Sequence, residues 1–274
     1  MNTAGAGLDC HADRNAPFTR SGPVVAASAS FFRDTRSLAL CALVFSATIA
    51  ASTFSSDAQD LASCRSSPAI GTNWRDCSKK QLMLGGSNLE GANLFNTDFS
   101  QTDLSGSNLK SANLEKATLV RASLAGANAD NANFAKVEGY RSDFSGTSAE
   151  HASFASSELQ RTNFSNAHLT GTDFEKAELG RANFDKAVLT GTRFPMANLS
   201  RASFVGAIFE GPIDFDSAFM FLTRIEGVDL SAASNLQQGQ IDLACGDSAT
   251  KLPAGLSVPA KWPCPADSDT TTDP

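Results

Sequence analysis

Apolar residues recur at every fifth position through the middle of the chain, from Leu89 to Phe209, and resume at Phe215 after a one-residue slip near Pro212. A small residue, mostly Ala, Ser or Thr, lies two positions before each of them, and Asn or Asp is common between the two. A period of five matches neither an α-helix nor the two-residue alternation of a strand. The pattern predicts a chain that turns after every short extended segment, with the small and the large apolar residue pointing inward.

One such segment cannot bury its apolar side chain alone, so successive turns of the chain must stack on one another. Columns of residues spaced by twenty have their own character, which indicates twenty residues per coil. Where Phe replaces Leu in two of these columns, the other columns carry Ala129, Gly139 and Ala149, as a cross-section of constant size requires. The predicted core ladders are Phe134, Phe154, Phe174 and Phe194 in one column and Phe144, Phe164, Phe184 and Phe204 in the other.

The segments 87–91 (SNLEG), 92–96 (ANLFN) and 112–116 (ANLEK) follow the pattern A-(D/N)-L-x-x. Over about residues 84–230 the chain therefore resembles the pentapeptide-repeat family. That resemblance implies an all-β fold, a right-handed quadrilateral (four-sided) β-helix with one pentapeptide on each side. About seven coils fit this range, and with a strand spacing of about 4.8 Å the rod would be roughly 35 Å long.

The open ends of a β-helix expose unpaired strand edges, so we expect a cap at each end. Residues 59–83 are predicted to form a short N-terminal cap, residues 84–230 the repeat, and residues 231–274 a C-terminal cap of helix and tail. Ser234 and Gln237 have the spacing of a capping box, which predicts that a short helix begins at Ser234 and ends at about Ala244.

Residues 1–58 are predicted to be a leader with a signal peptide. The uncharged, apolar stretch at about 38–51 follows Arg33 and Arg36 and has the length of a signal-peptide core. It is shorter than the roughly 20 residues that cross a membrane, so no permanent anchor is expected. Cleavage near Ala58 would place the protein in the periplasm or outside the cell. The alternative is a disordered leader with one apolar patch.

Four cysteines remain once the leader, with Cys10 and Cys41, is removed. Two precede the repeat and two follow it, and the two ends are too far apart for a bond whose Cα atoms must lie within about 7 Å. The predicted disulfides are Cys64–Cys77 and Cys245–Cys264. One disulfide in each cap fits an oxidising compartment; free buried thiols are the alternative.

Five arginines at intervals of twenty form a candidate docking ladder along one corner: Arg121, Arg141, Arg161, Arg181 and Arg201. Glu138, Glu158 and Glu178 form a second ladder on the same side. The strip is interpreted either as a charge-compensated face descended from a duplicated unit or as a docking strip for an acidic polymer or protein. Further along, Phe219, Phe221 and Leu222 would point outward; we expect the C-terminal tail to cover them, with a dimer interface as the alternative.

No catalytic, cofactor-binding or metal-binding residue is predicted. His151 and His168, with Glu150 nearby, supply too few converging ligands for an organised metal site. The hypothesis of a metal-assisted hydrolase that uses these two histidines therefore ranks last. The formal net charge of −7 argues against direct nucleic-acid binding.

The favoured function is an exported structural or interaction protein that presents a rod-like surface to another macromolecule, with a protein as the expected partner. It would be a monomer or an end-to-end dimer. The alternative is a cytoplasmic DNA mimic that acts on DNA gyrase or another DNA-binding protein, which the family resemblance implies for some members. Residues 82–230 carry eighteen acidic and twelve basic side chains, but the arginine ladder interrupts any continuous acidic face.

Overall fold

This computed structural model describes residues 63–265. The predicted leader with its cleavage site at Ala58, the first residues of the N-terminal cap and the end of the tail lie outside the described residues.

The repeat forms a ladder of parallel β-bridges in which each segment pairs with the segment twenty residues further on. The bridges recur every five residues, as in Asn133↔Ser153, Glu138↔Glu158 and Asp143↔Asn163. Backbone hydrogen bonds run in both directions between coils: the Phe134 amide donates to the Ser153 carbonyl at 2.7 Å, and the Ser153 amide donates to the Ala132 carbonyl at 3.0 Å. The described residues therefore form a β-helix with twenty residues per coil in this region.

Each coil contributes one segment to each of four columns. In the coil that contains residues 134–149, Phe134 is the central residue of column 1, Gly139 of column 2, Phe144 of column 3 and Ala149 of column 4. All four residues are fully or almost fully buried. A segment twenty residues before or after one of these segments belongs to the same column and takes the same column number.

A tight turn joins each segment to the next. In one of them the Ala132 amide donates to the Ala129 carbonyl at 3.0 Å, and Asn131 between them has a φ of 58°. The side chain before the central residue supports the following turn, since the Ala135 amide donates to Asn133 Oδ1 at 3.0 Å. This local bond explains why Asn and Asp recur at that position of the repeat.

Small residues two positions before the central residue leave room for the core, and the threonine hydroxyls among them donate to the neighbouring coil. Thr147 Oγ1 donates to the Leu124 carbonyl at 2.7 Å, and Thr172 Oγ1 donates to the Ala149 carbonyl at 2.8 Å. Both threonines are fully buried. A buried hydroxyl with such a partner avoids the penalty of an unsatisfied polar group.

The two phenylalanine ladders fill the core from Phe134 onward. Within column 3, Phe164 stacks on Phe184 with ring centroids 5.0 Å apart and planes 3° from parallel. Between columns, Phe164 meets Phe154 edge to face at 5.6 Å. Offset stacks and edge-to-face contacts are the two favourable arrangements of aromatic pairs, so both ladders contribute beyond their buried area.

Gly139 is the position where the core has no space for a side chain. A Cβ atom at this residue would lie 2.7 Å from Leu159 Cδ2 and 3.1 Å from Ser142 Oγ. Gly139→Ala is therefore expected to lower the free energy of unfolding by about 1–3 kcal/mol, because the surrounding side chains must leave their packed positions. Chemical denaturation of the purified protein measures this change.

Gly180 is the matched control, because it lies on the outer surface of the same column. A Cβ atom there has no neighbour closer than 3.9 Å. Gly180→Ala should leave the free energy of unfolding unchanged or raise it by about 0.4–1 kcal/mol through the lower entropy of the unfolded chain. Equal destabilisation by the two substitutions would contradict the tight packing at Gly139.

The ladder begins with the bridge Asn73↔Asn93, which lies before the predicted start of the repeat at residue 84. Trp74 and Lys79 take the inward positions of this first coil. Lys79 Nζ lies 3.7 Å from the centre of the Trp74 ring and donates to the Cys64 carbonyl at 2.7 Å. Burial lowers the pKa of Lys79. A lysine at a core position breaks the apolar pattern, yet its ammonium group is satisfied at the end of the core.

The C-terminal end contains two short regular strands and a helix. Strand β1, Ile213–Asp214, pairs in parallel with β2, Ala233–Ser234, and helix α1 follows at Gln238–Leu243. The prediction that the helix begins with a capping box at Ser234 is wrong, because Ser234 pairs with Asp214 and extends the ladder. The capping box is formed instead by Gln237 and Gln240: the Gln237 amide donates to Gln240 Oε1 at 2.7 Å.

Candidate interaction surface

The arginine ladder lies at the turn that leads from column 2 to column 3. Each of its five residues has a positive φ, between 56° and 61°. The Arg121 amide donates to the Tyr140 carbonyl at 3.1 Å, and the Arg161 amide donates to the Gly180 carbonyl at 2.8 Å. These bonds place successive arginines on adjacent coils, about 4.8 Å apart along the ladder. The arginines are exposed or half-buried.

The glutamate ladder lies on the outer surface of column 2. Glu138 bridges Glu158, and Glu158 bridges Glu178, so the three carboxylates follow one another on consecutive coils. Tyr140 is 38% exposed beside them, and its ring lies 5.3 Å from the Arg141 guanidinium carbon. Column 2 therefore presents a negative row and a positive row side by side, three residues apart in the sequence.

At the N-terminal end of column 2, Asp98 forms an ion pair with Lys80 at 2.8 Å. Partial burial alone would raise the pKa of Asp98, but hydrogen bonds from Lys80 and Ser100 outweigh it, and the pKa is lowered. The carboxylate thus stays charged, and this end of the column is locally neutralised.

An apolar patch occupies the C-terminal end of the same column. We define it by Met196, Phe219, Phe221, Leu222 and Leu243. Phe219 is 50% exposed and Phe221 is 42% exposed, and their rings stack with centroids 6.3 Å apart. The patch continues the arginine ladder, since the Arg201 amide donates to the Phe221 carbonyl and the Leu222 amide to the Leu243 carbonyl.

The expectation that the tail covers these side chains is wrong for the tail as far as residue 265. The tail instead packs elsewhere: Lys251 bridges Asp229 in column 4, and Trp262 Nε1 donates to the Ala244 carbonyl at 2.8 Å. Trp262 also covers Gly246, where a Cβ atom would lie 2.4 Å from its ring. The tail therefore closes the end of the ladder and leaves Phe219 and Phe221 exposed.

The four cysteines of the described chain lie in two pairs, one at each end of the ladder. In the structure Cys64 is joined to Cys77 with a Cα–Cα distance of 5.5 Å, and Cys245 is joined to Cys264 with a Cα–Cα distance of 5.4 Å. Both distances lie within the usual range for disulfides. Each pair ties a terminal segment to a buried position of the ladder, since Cys77 and Cys245 are nearly inaccessible to solvent.

His151 and His168 lie in column 4, away from the charged rows. The His151 ring packs over the backbone of Gly171, where a Cβ atom would lie 2.5 Å from Nδ1. Within residues 63–265 no group of three or more metal-binding side chains converges. In the same range, no helix combines the length and apolar character that crossing a membrane requires.

Two features of the structure, the direction of two lysines and the first coil, were not predicted from the pattern of residues. Lys136 pairs with Glu115 at 2.9 Å and Lys176 with Glu175 at 2.8 Å, so these lysines turn toward column 1. Sequence spacing could not show this, because each lysine has carboxylates on both sides. The first coil could have been found by counting back twenty residues from Leu94 and Phe99 to Trp74 and Lys79.

Residues 84–211 match the sequence profile described as pentapeptide repeats, in eight copies. The overlapping matches cover the region where the ladder is regular. The chain is therefore a pentapeptide-repeat protein. No curated protein is similar to it in sequence.

Several solved structures of pentapeptide-repeat proteins are similar to the chain. HetL, a protein involved in heterocyst differentiation regulation from the cyanobacterium Nostoc sp. strain PCC 7120, is 22% identical, with a TM-score of 0.44 over 68% of this chain and 91% of HetL. QnrB1, a plasmid-mediated fluoroquinolone resistance protein, is 20% identical, with a TM-score of 0.35 over 65% and 90%. AT2G44920 from the Arabidopsis thaliana thylakoid lumen is 24% identical, with a TM-score of 0.31 over 47% and 81%.

Proposed function

We propose that this protein is an exported, non-catalytic scaffold that binds another macromolecule through the outer surface of a right-handed, four-sided β-helix. The five-residue spacing of the bridges and the twenty-residue offset between partners support four sides per coil. The outer surface is regular and carries long rows of like residues, which suits contact with an extended partner surface.

The observation that carries the proposed location is the pair of disulfides, one at each end of the ladder. Disulfides persist in oxidising compartments and are rare in the cytosol. The apolar stretch at 38–51 independently supports export, because it has the composition of a signal-peptide core. Both features favour a periplasmic or secreted protein over a cytoplasmic DNA mimic.

The experiment is expression of the full chain in a bacterial host, followed by fractionation and intact mass measurement of the product. We expect a periplasmic product that begins near Gln59 and contains four oxidised cysteines. An uncleaved cytoplasmic product with free thiols would overturn the proposal. In that case, inhibition of DNA gyrase supercoiling at low protein concentration would identify the DNA mimic instead.

A further inference from the structure

The outer surface of column 2 is complementary to a second copy of itself. The residues one before and one after each central residue both point outward, because side chains alternate along an extended segment. They lie on opposite sides of the column's midline, because the chain runs from one to the other through the central residue. The glutamates occupy the first side, and the arginines lie beyond the second side, at the turn. A copy turned about a two-fold axis parallel to the direction of stacking exchanges the two sides and keeps the order of the coils.

We propose that two copies of this protein associate side by side through column 2, in parallel, about such an axis. The glutamate row of one protomer then faces the arginine row of its partner, and the reverse contact follows from the symmetry. Glu138, Glu158 and Glu178 lie on the same three coils as Arg141, Arg161 and Arg181. All six ion-pair contacts therefore form in one register.

The apolar patch supports the same arrangement. Phe219 lies one position before the buried Met220 and Phe221 one position after it, so they take the two sides of the midline. The two-fold axis places Phe219 opposite the partner's Phe221, and the reverse. Half-exposed aromatic residues bordered by arginine have the composition of protein interfaces.

Other arrangements of column 2 on itself are unfavourable. A two-fold axis across the direction of stacking would set arginines against arginines and move the two apolar patches to opposite ends. In the parallel arrangement the flanking lysines are the remaining like charges. Lys136 and Lys176 pair with Glu115 and Glu175 toward column 1, which turns them away from the interface.

The arginines can keep their contacts within the protomer and still pair with the partner. A guanidinium group carries five N–H donors, so it can bind a second carboxylate. The surface is small, however: a column about 10 Å wide and about 25–30 Å long has a flat area of about 300 Å². Interfaces in this range are weak, so we expect dissociation in the micromolar range and a stronger dimer at low salt.

Sedimentation equilibrium of the purified full chain over a wide concentration range tests the dimer. We expect a monomer–dimer equilibrium that weakens as salt is added. Phe219→Ser with Phe221→Ser should weaken it at least tenfold while the melting temperature stays unchanged, because both side chains are exposed. A protein that remains monomeric at all concentrations would overturn the proposal.

Charge exchange tests the ion pairs of the interface. One variant carries Arg141→Glu, Arg161→Glu and Arg181→Glu, and the second carries Glu138→Arg, Glu158→Arg and Glu178→Arg. Each variant alone should be monomeric, and an equimolar mixture should form a one-to-one heterodimer. A thermal melt of each variant checks that it is folded. The control variant, Lys186→Glu with Glu210→Lys, changes exposed charges outside column 2 and should dimerise like the parent protein.

The outcomes separate the alternatives. A dimer that survives both charge-reversal variants would indicate end-to-end association and contradict the side-by-side interface. Loss of the dimer in each variant without recovery in the mixture would contradict the proposed ion pairs between the glutamate row and the arginine row. None of these results depends on whether the protein is exported, so the inference and the proposed location fail independently.

Discussion

Phe164→Ala is expected to lower the free energy of unfolding by about 3–5 kcal/mol. The ring is fully buried in column 3, stacked between Phe144 at 5.1 Å and Phe184 at 5.0 Å. Its removal leaves a cavity that the neighbouring coils cannot fill, since their hydrogen-bonded backbones hold them about one strand spacing apart. Equilibrium unfolding in denaturant, followed by circular dichroism, measures the loss.

Phe221→Ala is the matched control for this prediction, because the same ring is removed from a side chain that is 42% exposed. We expect it to change the free energy of unfolding by less than about 1 kcal/mol in the monomer. Similar losses for the two substitutions would mean that the phenylalanine ladder is not the main source of stability. Each coil contacts only its neighbouring coils. Phe164→Ala should therefore also broaden the unfolding transition if one half of the β-helix unfolds before the other.

Replacing Cys245 and Cys264 together by serine is expected to destabilise the C-terminal cap by about 2–4 kcal/mol. The bond closes a segment with a sequence separation of 19 that contains Trp262, whose Nε1 donates to the Ala244 carbonyl at 2.8 Å. Without the bond the unfolded segment gains conformational freedom, while the other contacts of the cap remain. Limited proteolysis and amide hydrogen exchange should show earlier opening of residues 251–265 than in the parent protein.

Ser248→Ala is the control for the disulfide, since Ser248 is exposed in the same segment. This variant should show parental proteolysis and exchange. If the double serine variant also behaved like the parent, the remaining contacts of the cap, among them Trp262 and the bridge from Asp229 to Lys251, would be sufficient to hold it. Reduction of the parent protein with a thiol reagent should reproduce the effect of the double serine variant.

The interior of the repeat could be derived from the sequence because its rule is local. Each inward residue is Leu, Phe or a small side chain at a set position in a five-residue unit, and Leu94, Phe134 and Phe204 are fully buried as this rule requires. The replacement of Leu by Phe in two columns also predicted that the other columns need smaller residues. Gly139 agrees with this prediction, because a Cβ atom there would lie 2.7 Å from Leu159 Cδ2.

The ends could not be derived in the same way, because they depend on which backbone edges remain to be paired. Ser234 has the residue type of a helix N-cap, but the edge of β1 was open and Ser234 paired with it. Lys79 lies in a core position because its ammonium group reaches the Cys64 carbonyl at the end of the ladder. Neither outcome follows from local residue preference.

The sequence by itself determined the family, the twenty-residue coil and the rows of charge, since all three follow from residues repeated at regular intervals. Only the tertiary structure decided that the tail packs along Ala244 and Asp229 and leaves Phe219 and Phe221 exposed. The reason is physical: stacking makes neighbours of residues twenty apart, whereas the path of a non-repeating tail depends on contacts that no periodic pattern encodes. That path leaves the apolar patch in line with the arginine ladder.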